Sequence, residues 1–506
     1  MSPKAKTVAT KSKATKSPRA KSAEVKPAPA PYAPEVDLSG IFMPRGKGVR
    51  GHLREVDNTW PRRHEIGKVL RQRIPRESHA DGKPAASRPD PLDLLAANNV
   101  GRQEEFIPLR MGRMAASPFT FLRGAACVMA WDLSKTPNCG INIIIDGDAH
   151  INNFGLYGTP QRDVIFDLND FDEATVGPWE WDLKRLVASV NVAARENGMN
   201  KAERAEAAMQ AVAGYRWNID RVEKMGVLDV WYLHAYPDAK RPLIKRDPKA
   251  DAVLAKCVAK ARTQTNATLL TKTAERSANG GWHMREDPPI LTRVDDQTRE
   301  KIMKGLEEYT LELPTERGFM LSRYHVADIC HRVVGVGSVG TRAYLALLFG
   351  NDDNDPLFLQ VKESVAPAHA PYVPPLPKPY DEHHGMRVVF GQRALQASSD
   401  VMLGPTHVDG RPFFVRQMKN MKASIPVEWL TGASFNFYAF SCGSLLARAH
   451  ARVGDAAAIN GYCGNSPVLD EALAKWAEAY GDQTERDHAQ LVKAIKSGRV
   501  KATQVV

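Results

Sequence analysis

The chain has 506 residues, 43% hydrophobic and 25% charged, with a formal net charge of +11; this is ordinary globular composition, long enough for two or three packed units. No run approaches the roughly 18 apolar residues of a membrane span, and the N-terminus lacks the apolar stretch of a secretory signal, so a cytoplasmic protein without membrane contact is expected. The six cysteines (Cys127, Cys139, Cys257, Cys330, Cys442, Cys463) lie far apart with no C-x-x-C spacing, which points away from a disulfide framework or zinc site and towards buried, reduced thiols.

Much of the positive charge sits in one place. Met1 to Lys26 holds eight Lys or Arg against Glu24 alone, set among Ala, Ser, Thr and Pro. Such a segment has too little apolar surface to fold. It is expected to be disordered, either as a solvated leader or as a non-specific arm for a polyanion acting through counterion release. The proline linker Ala28–Pro34 follows, then a polar stretch to about Asp93 that is expected to drape over the domain. Packed structure is expected to begin at Phe106.

Ile141–Ile145 and Val164–Phe166 read as short buried strands, each ending in an acidic loop: Asp146-Gly147-Asp148 and Asp167-Leu168-Asn169-Asp170. From Trp181 the apolar residues Leu183, Leu186, Val187, Val190 and Ala194 take helical spacing, with Gly198 as the stop, which predicts an amphipathic helix. Residues 200–325 read mostly as helix, broken at Asp287-Pro288-Pro289. The pattern then turns β-rich: a glycine stretch, Tyr344–Phe349, an Asn/Asp turn, and Leu357–Val361. A hairpin is the simplest assignment, although Ala343–Leu348 also fits a helix. Met386–Leu403 reads as helix, Phe413–Gln417 as strand, Pro367–Pro379 as a surface loop, and Phe435–Arg452 and Glu471–Val492 as helices.

Three constellations carry chemistry. Asp148-x-His150-x-x-Asn153, on a loop after a strand, lets one loop supply a base for a hydroxyl and an oxygen ligand for Mg²⁺. The competing readings are an Asx-rich turn, or Asp148 and His150 as ligands of a hydrolytic metal. Second, the six acidic residues from Asp167 to Asp182 would be a costly cluster without a cation; Asp170 suits a metal, and Asp182 suits a helix cap. Third, Gly335-x-Gly337-Ser338-x-Gly340 precedes Lys362 by a strand-rich interval. A dinucleotide fingerprint needs a helix directly after the glycines and an acidic residue about 20 positions on. Here a hairpin follows and the residue is a lysine, which suits a glycine flap over phosphates with Lys362 reaching them. A glycine turn with a surface lysine is the plainer alternative. Arg416, Lys419 and Lys422 read first as a solvated basic face.

The first two runs together resemble the small-molecule kinases of the aminoglycoside and choline phosphotransferase group, within the protein-kinase-like superfamily. Their loop, H-G-D-x-H-x-x-N, is matched by Gly147, Asp148, His150 and Asn153, with Asp146 where the first histidine would stand. Their metal aspartate precedes a V-G glycine by seven positions and a D-L aspartate by twelve, as Asp170, Gly177 and Asp182 do. From about Gly67 to Asp487 the chain also resembles the domain-of-unknown-function 2252 proteins, through Arg113–Phe119, Phe121–Gly124, Gly147–His150, Phe166–Glu173, Val334–Thr341, Leu359–Glu363, Val415–Gln417 and Ala447–Ala451. Where that family is expected to carry a glutamate in R-V-V-E-G-Q-R, this chain has Phe390, so the candidate helix partner of Lys362 is missing.

These resemblances imply an α+β, two-lobed protein-kinase-like fold of large helical content. The catalytic loop here precedes the flap, the lysine, the hinge-like Val415–Met418 and Leu446–His450, so a circular permutation is implied. The expected divisions are a disordered tail (1–45), a catalytic and metal lobe with a helical insertion (46–325), a small β-rich nucleotide lobe (326–430), and C-terminal helices completing the large lobe (431–506). The implied activity is ATP- and Mg²⁺-dependent phosphotransfer to a hydroxyl of a small molecule or protein. Asp148 and His150 would be catalytic, Asn153 and Asp170 would hold metal, and Gly335, Gly337, Ser338, Gly340, Lys362 and Arg416 would hold nucleotide. The alternatives are AMP transfer on the same fold, a nucleotide-binding pseudokinase or scaffold, and a metal-dependent hydrolase.

Overall fold

The computed structural model describes residues 59–237, 248–333 and 335–503. The expected basic tail and the proline linker lie outside the described residues, as does Val334 of the glycine stretch. The rest is α+β, with short antiparallel sheets set among helices.

Packed structure begins earlier in the chain than Phe106. The helix Trp60–Arg73 packs on the helix Ala456–Cys463, and Arg71 donates to the carbonyls of Tyr462 (2.8 Å) and Gly461. Only Gly67 and Leu70 of this helix are buried. Its attachment is largely polar, with His64 on Glu223 at 2.9 Å, so it leaves no apolar periodicity to read in the sequence.

Strand β1 (Asn142–Ile145) pairs antiparallel with β4 (Thr175–Pro178), and β2 (Phe154–Gly158) pairs antiparallel with β3 (Val164–Leu168). The helix Trp179–Glu196 follows directly. The expected amphipathic helix is in fact buried on every side from Trp179 to Ala194, charged residues included. The helices Lys201–Val222, Gly432–Val453 and Val468–Lys496 surround it. The first two of these touch backbone to backbone: a Cβ on Gly214 would strike the Phe440 carbonyl, and one on Gly443 the Ala211 carbonyl. Five of the six cysteines are buried and all six are free thiols.

The described residues between 200 and 325 are mostly helical, with the short strands β5 (Ala274–Arg276), β6 (Trp282–Met284) and β7 (Leu291–Arg293) among the helices. A six-stranded antiparallel sheet is built from β7, β8 (His325–Arg332), β9 (Ala343–Phe349), β10 (Pro356–Glu363), β12 (Arg411–Gln417) and β11 (Gly404–Val408), in that spatial order. The sheet therefore reaches back across the expected boundary at 326. The helix Asp296–Glu312 also packs on β11, with Tyr309 Oη donating to the Met402 carbonyl at 2.5 Å and Thr406 Oγ1 to the Gly305 carbonyl at 2.5 Å.

Ala343–Leu348 is strand, not helix, and every residue of β9 and β10 is buried. Tyr344, Ala346 and Leu348 face one apolar cluster while Leu345, Leu347 and Phe349 face another, so both faces of the sheet are covered and the strand reads as a continuous apolar run. The helix after β10 spans His384–Leu395 and stops eight residues short of the expected Leu403. A two-residue strand, β13 (Ala423–Ser424), returns to pair with β2. Pro367–Pro379 is a loop but not wholly superficial, because His369 and Leu376 are buried and the His369 ring lies 5.4 Å from Trp181. Among the described residues no helix is long and apolar enough to cross a membrane.

Candidate functional site

The loop after β1 is held from beneath by the helix that follows β4. Asp182, in the first turn of that helix, accepts from the backbone N–H of Asp146 (2.7 Å) and of Gly147 (2.9 Å). Gly147 has φ +77°, and a Cβ there would strike the Glu173 carbonyl; both facts favour glycine. Asp182 also meets His450 Nε2 at 3.1 Å, and His450 Nδ1 meets Tyr215 Oη at 2.9 Å. Both ring nitrogens of His450 are thus engaged. Gly454, just past His450, abuts Ile143 of β1, so the helix Gly432–Val453 lies beside the strand that leads into the loop. Ser189 Oγ accepts from Ile151 N at 2.8 Å. The loop is thus fixed before any ligand is considered.

Asp148 projects from this loop into a cleft. Arg185 Nη2 and Nε lie 2.7 and 2.8 Å from its Oδ1, while no described residue donates a hydrogen bond to Oδ2, which lies 3.9 Å from His150 Nε2. Burial pushes the Asp148 carboxyl up to about 7 against the opposing pull of Arg185, into the range that suits a base at neutral pH. His150 is buried, and burial together with Arg123 and Arg185 holds it well below the usual imidazole range, hence neutral. Asn153 donates through Nδ2 to the Asp148 carbonyl at 2.7 Å, which leaves its amide oxygen as the atom for a cation.

The six acidic residues from Asp167 to Asp182 do not act as one cluster. Asp167 forms a buried ion pair with Arg448. Asp172 pairs with Lys362 and accepts from Ser338 Oγ at 3.0 Å. Glu173 accepts from Ala368 N at 2.5 Å, and Glu180 from Cys139 N at 2.7 Å. Asp182 holds the loop. Asp170 alone takes no hydrogen bond or ion pair from a described residue, and its Oδ1 is buried. Asp146 is also buried with both oxygens unpartnered; burial and the neighbouring Asp182 push its carboxyl well above the ordinary range.

Opposite these loops stands the turn between β8 and β9, where Gly335 and Gly340 have φ +67° and +88°. Its carbonyls are tied to the segment before β1: Arg113 donates to Gly335 O at 2.6 Å, Arg102 to Val339 O at 2.8 Å, and Gln103 N to Gly340 O at 2.7 Å. Lys362, on β10 opposite Phe414, is buried. Its partner is Asp172. Burial alone would raise the Asp172 carboxyl, but the Lys362 ammonium, with help from Arg416 and Ser338, holds it below its ordinary value. Phe390 lies on the helix His384–Leu395 with its ring 4.6 Å from that of Tyr380, so the helix is not the source of a partner for the lysine.

Asp148, His150, Asn153, Asp170, Gly335, Gly337 and Ser338 all line one cavity of about 90 Å³. Gly340, Lys362 and Arg416 fall just outside its lining. Arg416 is no solvated surface residue: its Nε donates to Gln360 Oε1 at 3.1 Å and its Nη1 to the Asn169 carbonyl at 3.3 Å, bracing the backbone beside Asp170. Lys419 and Lys422 are half-buried, and burial lowers both ammonium groups, Lys422 to about 7. Arg185, Asp172, Arg102 and Arg123 also stand in or beside the cleft, without a role in the motif reading. A charged residue inside the apolar run Trp181–Ala194 is the sequence signal for Arg185; Asp172 and Arg102 are placed by contacts far away in sequence, and Arg123 by its position in the cavity lining.

Among the described residues there is no group of three metal-ligating His, Cys, Asp or Glu side chains. A cation that arrives with a phosphorylated substrate needs only one or two protein oxygens, and the unpartnered Asp170 with the Asn153 amide oxygen fits that requirement.

Fold and site together define an α+β protein with a polar cleft between an acidic loop pair and a glycine turn. The chain belongs to the family described as uncharacterized protein conserved in bacteria (DUF2252), whose model matches residues 102–494. No curated protein and no solved structure matches it.

Proposed function

We propose that the protein is an ATP- and Mg²⁺-dependent phosphotransferase with a circularly permuted, protein-kinase-like fold, acting on a hydroxyl of a small molecule or protein. One observation carries this reading. Asp148, Asn153 and Asp170 share one cleft with the glycine turn and with Asp172, the ion-pair partner of Lys362, although about two hundred residues separate the acidic loops from the turn and the lysine in the chain. The arrangement of elements supports it. A glycine turn between β8 and β9, a lysine on β10, then a helix and two further strands of the same sheet reproduce the order of a kinase small lobe.

In this reading Asp148 Oδ2 orients the acceptor hydroxyl and takes its proton, while Arg185 holds the other oxygen and keeps the carboxylate aimed. Lys362 and the glycine turn bind the nucleotide phosphates. Asn153 and Asp170 would hold Mg²⁺, which when bound neutralises phosphate charge. A hydrolase using Asp148 and His150 as metal ligands is disfavoured because Arg185 already occupies Asp148 Oδ1.

The test is incubation of the full chain with Mg²⁺ and ATP labelled at the α or the γ position, against a panel of hydroxyl-bearing metabolites and cell extract. Transfer of γ-label supports the reading. Transfer of α-label replaces it with AMP transfer, and nucleotide binding without either transfer replaces it with a pseudokinase.

A further inference from the structure

Two arginines line the cleft, and they are used differently. Arg102 donates through Nη1 to the Val339 carbonyl and through Nε and Nη2 to Asn98. The Arg123 guanidinium donates to no described residue, and its Nε is buried without a partner. Burial lowers its pKa, opposed by the fields of Asp148 and Asp170. A largely buried cation left unpaired is costly unless it serves an anion that comes and goes.

The surroundings of Arg123 are rigid. It occupies the last turn of the helix Pro118–Gly124, which Ser117 and Thr120 close with a capping box. Arg185 Nη2 donates to the Leu122 carbonyl at 2.7 Å, and Arg110 Nη2 to the Gly124 carbonyl at 2.8 Å. The carbonyls on both sides of Arg123 are thus pinned by buried guanidinium groups. The same Arg185 that holds Asp148 holds this backbone, so the proposed base and the free arginine share one support. On its other side the tip of the glycine turn comes close: a Cβ on Gly337 would stand 3.6 Å from the Arg123 carbonyl oxygen. Arg123 therefore sits between the flap and the two acidic loops, with its backbone fixed and its donors unspent.

We propose that Arg123 is a catalytic residue, an arginine supplied in cis that binds the non-bridging oxygens of the phosphoryl group during transfer. This rests on the phosphotransferase reading above. In the step, the acceptor hydroxyl oxygen bonds to the γ-phosphorus of a nucleoside triphosphate as the bond from that phosphorus to the β–γ bridging oxygen breaks. The nucleoside diphosphate leaves with the bonding electron pair, and the hydroxyl proton passes to Asp148. Charge spreads over the three equatorial oxygens, where a preorganised planar donor is most effective.

The experiment needs no acceptor. Calorimetry would measure the affinity of the full chain for Mg·ADP and for Mg·ADP with aluminium fluoride, which mimics the phosphoryl group in flight, in the wild type, Arg123→Ala and Arg123→Lys. Arg123→Ala is expected to weaken the aluminium fluoride complex by roughly 10²–10³-fold while Mg·ADP binding stays within about twofold, since an arginine of this kind acts on the transition state. Arg123→Lys, which keeps the charge but loses the fork, is expected to fall between. Equal weakening of both complexes in both variants would overturn the proposal by making Arg123 a ground-state or structural residue. Unchanged aluminium fluoride affinity would overturn it directly. A wild type that binds neither complex would remove the phosphotransferase reading, and this proposal with it.

Discussion

Lys362 and Asp172 form an ion pair across 190 positions of sequence, and Ser338 of the glycine turn donates to the same carboxylate oxygen at 3.0 Å. Strand, turn and acidic loop are thereby joined at one atom. The pair is expected to be coupled: a double-mutant cycle of Lys362→Met and Asp172→Asn should give an interaction energy of about 2 kcal/mol in chemical denaturation. That lies below the usual worth of a fully buried pair because the Asp172 side chain is 28% exposed. Additive effects would show that the contact contributes nothing to holding the cleft together.

Asp170→Ala is expected to abolish Mg²⁺-dependent nucleotide binding while leaving the ligand-free protein as stable as before, or more so. Its carboxylate makes no bond with a described residue, and the burial of its unpartnered Oδ1 is a cost that the alanine removes. Titrating Mg·ATP into the variant checks this, and an unaltered isotherm would remove Asp170 from the cation site.

Asp148→Asn should keep nucleotide affinity and lower turnover by roughly 10²–10⁴-fold, the usual worth of a positioned base. The substituted amide can still accept from Arg185, so the loop should stay in place and thermal unfolding should barely move. Turnover at the wild-type rate would show that the proton goes elsewhere.

Phe390→Glu tests whether the helix His384–Leu395 could ever serve the lysine. Lys362 already has a partner, and Phe390 packs on Tyr380. The substitution is expected to lose about 1 kcal/mol of aromatic contact, plus the cost of a half-buried carboxylate, and to bring no gain in nucleotide affinity. Tighter Mg·ATP binding by the variant would mean that the helix competes for Lys362 after all.

The elements of the cleft were largely legible in the chain. β1, β3 and β10 are short apolar runs bounded by acidic or polar turns, and the spacings of Asp148, Asn153 and Asp170 are local. Local pattern and structure part where distant groups capture the backbone. The helix expected to run to Leu403 ends at Leu395 because Asp167 accepts from Ala397 N at 2.8 Å and Tyr157 donates to the Ser398 carbonyl at 2.6 Å. The helix Trp60–Arg73 leaves no apolar stripe in the sequence because arginine and histidine side chains attach it.

Local stretches of chain suffice for the α+β character, the two acidic loops, the glycine turn and the position of Lys362 near a strand end, since each depends on residues within one or two turns of chain. Which charge meets which is settled by the folded chain. Asp172 with Lys362, Arg185 with Asp148, Asp182 with His450, and the absence of any described partner for Arg123 depend on where separate elements converge. Local periodicity records burial and turn geometry, and it contains no information about the distance between side chains brought together from opposite ends of the fold.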